Sequence, residues 1–169
     1  MRFPRFAIFA ASLATAACTP VVMKTPVSGP APAISRLVGE WQGDYSSVES
    51  GRRGLIAFRL RAGADTAEGE VIMQSRADYD PSVPNASAVP WDAMRTTQQS
   101  LSIRFVFVSE SEISGVLNPY RDPDCGCTLT TTFRGKLQGD VIEGTFHSEG
   151  SGISHIPQDG RWRVKRFTP

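Results

Sequence analysis

Residues 128–146 read TLTTTFRGKLQGDVIEGTF, and their spacing decides the fold class. Leu129, Thr131 and Phe133 alternate with Thr128, Thr130, Thr132 and Arg134. That is a period of two, the mark of a strand half-buried in an antiparallel sheet and not of a helix with its period of 3.6. Gly139-Asp140 then interrupts the alternation with a two-residue hairpin signal. The stretch therefore reads as two antiparallel strands, near 127–137 and 140–148.

The same rhythm extends outward in both directions. Ile56, Phe58 and Leu60 alternate with Ala57, Arg59 and Arg61, and Leu101, Ile103, Phe105 and Phe107 alternate with Ser102, Arg104, Val106 and Val108. Further strands are expected near 41–45, 54–62, 67–75, 101–109, 112–118 and 161–167, with Asp159-Gly160 as a second turn. Gly69, Gly115, Gly135 and Gly144 fall inside strands, where glycine is tolerated mainly at bends or close backbone approaches. Together they favour strongly coiled strands closing on themselves. The expected fold is all-β, a small antiparallel up-and-down barrel of about eight strands spanning residues 36–169. A two-sheet sandwich is the alternative.

Gly39-Glu40-Trp41 at the start of the first of these strands resembles the G-x-W signature of lipocalins and other calycins, and the hairpin FRGKLQGDVIEGTF resembles repeats in small bacterial lipocalin-like and avidin-like proteins. The resemblance implies a structural trio of Gly39, Trp41 and a late-strand arginine packed across the indole at the closed end of the barrel. Arg166 is the expected arginine, with Arg163 the alternative.

Upstream, MRFPRFAIFAASLATAAC (residues 1–18) has two arginines, then an apolar run from Phe6 to Ala17, then Cys18. This order is that of a secretory signal, too short to span a bilayer permanently. Ala16-Ala17-Cys18 resembles a lipobox, although Thr15 stands where that motif prefers Leu. The resemblance implies removal of residues 1–17, a lipid on Cys18 and a membrane anchored through it. Cleavage after Ala16 or Ala17 by ordinary processing is the alternative. Residues 18–35 carry four prolines and little charge, and read as an extended tether. Thr19 replaces the aspartate that retains lipoproteins at the inner membrane, which points to the outer membrane, facing the periplasm.

Few motifs carry chemistry. The chain is near neutral, which removes the electrostatic basis for binding nucleic acid. There is no phosphate loop, dinucleotide fingerprint, H-E-x-x-H or nucleophile elbow, so no enzyme and no cofactor are expected. Cys125-Gly126-Cys127 admits three readings: a small structural disulfide, free or exchange-active thiols, or a metal site completed by His147 or His155. The disulfide is the expected one, since Gly126, Pro119 and Pro123 let the chain turn there. Asp122 and Asp124 read as turn residues, because two carboxylates are too few for calcium. Residues 75–100 interrupt the strand rhythm and form either a lid or a plug for the barrel.

Two functions follow. The barrel binds a small apolar ligand, with Phe58, Tyr79, Trp91, Phe105, Phe107 and Phe133 as its candidate contacts, or its interior is filled and the domain is a structural partner at the outer membrane. In either case the protein should fractionate with membranes, and Cys18→Ser should release it or stall its processing. Unchanged membrane association and mature mass in that variant would refute the anchor.

Overall fold

In the computed structural model, residues 23–74, 99–123, 125–150 and 158–168 are described. They form β1 (Lys24–Ser28), α1 (Ala31–Ser35), β2 (Gly39–Ser46), β3 (Arg53–Leu60), β4 (Thr66–Gln74), β5 (Gln99–Leu101), β6 (Ile103–Ser109), β7 (Glu112–Leu117), β8 (Tyr120–Arg121), β9 (Thr128–Gln138), β10 (Val141–Gly150) and β11 (Gln158–Phe167). The hairpin of 128–146 forms as read, with Val141 opposite Gln138 and Gly139 at φ 60° in the turn. β5 and β6 are one bent strand. Counted so, β2 to β11 make an antiparallel meander of eight strands, β8 being a short extension paired with β9.

The eight strands do not close by themselves. β11 pairs with β2 on one side, but β4 and β6 diverge on the other. β1 fills that gap. It lies antiparallel to β4, with Lys24 opposite Glu68, and parallel to β6, with Val27 opposite Val106. The result is a closed nine-stranded barrel. Residues 18–35 are thus not a tether throughout: from Lys24 the segment belongs to the wall, and α1 packs beneath it. The physical reason is pairing. Thr25 and Val27 alternate inward and are buried, and Pro26, which lacks an N–H, occupies an exposed position.

A second correction concerns β6. Its register against β7 shifts between Ile103 and Phe105. This irregularity inserts one residue and inverts the phase of everything after it. Leu101 and Ile103 face the interior as expected, but beyond the shift Val106 and Val108 turn inward. Phe105 and Phe107 therefore face solvent, 42% and 47% exposed.

One end of the barrel is sealed. α1 begins with proline in its first turn, suited to that position because the N–H it lacks has no helical partner there. It delivers the buried Ala33 and Leu37 beneath the strands. Trp41 is fully buried, donates its Nε1–H to the Leu37 carbonyl at 2.8 Å and stacks on Phe58 at 6.0 Å between ring centroids. The Arg166 guanidinium sits 4.3 Å from the Trp41 ring centroid. It also donates to the carbonyls of Arg36 and Val38 and pairs with Asp140. Arg163, the alternative, points outward and pairs with Glu143.

Higher in the wall, Gly135 and Gly144 face each other across β9 and β10. The Trp162 indole lies against both: a Cβ on Gly135 would come within 2.3 Å of its ring. These two glycines let an aromatic ring lie flat on the inner wall.

The clamp at the sealed end yields a prediction. Trp41→Ala removes a fully buried indole from between Phe58 and Arg166, so denaturant unfolding should show a loss of about 3–5 kcal/mol. A loss below about 1 kcal/mol, within the usual range for exposed positions, would show that this end is not a structural core.

Candidate functional site

Inward-facing side chains of successive strands leave a cavity of about 120 Å³ inside the barrel. One water needs roughly 10–15 Å³ on this measure, so the space matches a small organic molecule better than a single solvent molecule. Its deeper wall is apolar, with Phe58, Leu60, Ile113 and Ile142 among its lining residues.

The upper part differs. Tyr45 near the end of β2, Arg52 just before β3, Tyr120 of β8, Thr131 of β9 and Ser148 of β10 all line the cavity. Most of these polar groups are matched to one another. Tyr120 Oη lies 3.0 Å from Thr131 Oγ1, which lies 2.7 Å from Ser148 Oγ. Arg52 and Asp122 are both buried, and the guanidinium contacts both carboxylate oxygens. A bidentate pair of this kind leaves little net charge facing the cavity.

Asp122 is held in place by the cysteine turn. The sulfurs of Cys125 and Cys127 are joined in a disulfide. The Cys125 N–H donates to Asp122 Oδ1 at 3.2 Å, the Gly126 N–H to the Asp122 carbonyl at 2.8 Å, and the Asp122 N–H to the Cys127 carbonyl at 2.9 Å. Gly126 takes φ 62°, a left-handed conformation open to glycine at little cost. The turn therefore presents one carboxylate to the barrel. Among the described residues no three His, Cys, Asp or Glu side chains cluster to hold a metal. His147 engages Asp159 at 2.8 Å and Glu149 at 3.2 Å, and these hydrogen bonds, that to Asp159 foremost, raise its pKa.

Tyr45 is the exception to this polar matching. Its buried hydroxyl has no hydrogen-bond partner among the described residues. Burial is the main cause pushing its pKa far above the normal tyrosine range; Tyr120 adds to the effect and Arg52 opposes it. Tyr45 thus stays a neutral phenol with an O–H to donate. An unmatched buried hydroxyl costs the fold about 1–3 kcal/mol.

Of the residues expected to contact a ligand, Phe58 and Phe133 line the cavity. Phe105 and Phe107 do not, for the register reason given above. Tyr79 and Trp91, like most of the 75–100 segment, lie outside the described residues, as do Cys18, Asp124 and His155. Sequence reasoning missed Tyr45 and Arg52. Tyr45 was within reach, since it shares the inward phase of Trp41 four residues earlier. Arg52 carried no signal, because its partner lies 70 residues away.

The ion pair and the disulfide make separable contributions. Asp122→Ala takes the carboxylate away from the buried Arg52 guanidinium and should cost about 3–5 kcal/mol in chemical unfolding. Replacing Cys125 and Cys127 together by Ser should cost only about 1–2 kcal/mol, since a bridge closing so short a loop withdraws little entropy from the unfolded chain. Equal losses in the two variants would show that the bridge itself, and not the carboxylate it positions, holds this end together.

No protein-family model, curated protein or solved structure matches this chain.

Proposed function

We propose that the chain is an exported, lipid-anchored cell-envelope protein whose barrel binds a small, neutral, mostly apolar molecule bearing a hydrogen-bond acceptor. The observation that carries this reading is the apolar cavity with Tyr45 in its wall, whose buried hydroxyl has no partner among the described residues. An acceptor that reaches that hydroxyl would supply a hydrogen bond that no described residue makes. The head group is a carbonyl, ester or ether and not a carboxylate. Arg52 is already neutralised by Asp122, so an anion entering here would lose its hydration without gaining a free cation. Export and anchoring rest on the order of residues 1–18. A filled barrel acting only as a structural partner draws less support, because the interior retains this space.

Calorimetric titration with 2-octanone, octane and octanoate tests the reading. The ketone should bind best and octanoate least. Tyr45→Phe should stabilise the unliganded protein by up to about 1–3 kcal/mol. It should also weaken ketone binding about tenfold, or ~1.4 kcal/mol, while leaving octane unaffected. Preference for octanoate, or binding indifferent to Tyr45, would contradict the proposed head group. No binding of any of the three would favour the structural reading.

A further inference from the structure

We infer that the outer wall formed by β1 and β6 is a membrane-contact face, laid against the bilayer that carries the lipid on Cys18. This rests on the anchoring proposed above. Phe105 and Phe107 are successive outward residues of β6, on the same face of the sheet. β1 runs beside them, with Ser28 opposite Phe107 and the exposed Pro26 beside Phe105. Val116 of β7 pairs with Phe105 from the other side. Met23, 39% exposed, stands where the chain enters β1. The patch thus holds two half-exposed aromatic rings among other apolar groups, while the other large apolar side chains exposed among the described residues, Val48 and Phe167, lie on different strands or loops. Exposed apolar clusters of this kind mark contact surfaces.

The occupant follows from where the chain leads. Met23 lies five positions after Cys18, and a fully extended chain spans at most about 3.6 Å per residue. A lipid on Cys18 therefore holds Met23 within roughly 18 Å of the bilayer. The wall beside Met23 cannot turn far from that surface, and short tethering gives even a weak contact a high effective concentration. Phenylalanine side chains bury readily at the headgroup boundary. Lys24 and Arg104, both exposed at the margin of the patch, suit the phosphates found there. A second copy of the chain, a different protein or the chain's own 75–98 segment would meet the same rings without needing the anchor to lie so close.

Photo-crosslinking separates these occupants. Phe107→p-benzoylphenylalanine and, on β11 across the barrel, Arg163→p-benzoylphenylalanine are introduced separately into the full chain. Each protein is purified after processing and reconstituted in phosphatidylethanolamine–phosphatidylglycerol vesicles. Illumination should give a phospholipid adduct at 107 and none at 163. Intact mass reports whether Cys18 is lipidated. An unlipidated product removes the anchor and the docking face with it. A lipidated protein without an adduct at 107, or with equal adducts at both positions, overturns the docking face alone. An adduct at 107 to protein, whether a second copy, another chain or residues 75–98, also overturns it.

Discussion

A sheet has two edges, and an edge exposes backbone donors and acceptors that must be paired, covered or left as a site for aggregation. Here both edges disappear because β1 stands between β4 and β6. Everything else in the molecule depends on that insertion. It closes the barrel, brings Thr25 and Val27 into the inner wall, and feeds the chain directly into α1, which seals one end. A nine-strand closure is also wider than the eight-strand arrangement, whose interior side chains just fill. The added strand thus offers a physical reason for the space inside.

The two ends of the barrel are held by different chemistry. At the sealed end an aromatic stack and a guanidinium cover the core, and each polar atom of Arg166 finds an acceptor. The other end buries a full ion pair. Two buried charges return their desolvation cost only when their geometry is good, and the cysteine turn contributes to that geometry by holding Asp122 against Arg52. Stability at this end therefore comes from precise placement, whereas at the sealed end it comes mainly from apolar area. Tyr45 lies toward the ion-pair end, on the strand that begins at the sealed end, with its hydroxyl near Gly54 of β3.

Most of the strands were legible because alternation of residue character survives without knowledge of neighbours. The 128–146 hairpin was readable in this way, whereas Trp41 and its partner Arg166 were expected from the resemblance of Gly39-Glu40-Trp41 to a known signature. Phe105 and Phe107 were not. The segment IRFVFV is apolar on both faces after Arg104, so its pattern does not say which face is inside, and a single-residue register shift decided it. β1 was hidden for another reason: proline-rich composition argues against structure, yet Pro26 sits where the pairs with β4 end and those with β6 begin. Arg52 and Asp122 could not be paired from sequence at all, because only barrel closure brings residues so distant together.

The central claim is that this barrel, closed by its N-terminal strand, encloses apolar space accessible to a small molecule. A crystal structure determined under xenon pressure tests it most directly, since xenon enters dry apolar cavities without needing a polar partner. A xenon atom is expected inside the barrel, against Phe58, Ile113 and Ile142. An interior without xenon, with side chains packed through the space that these three residues line, would contradict it.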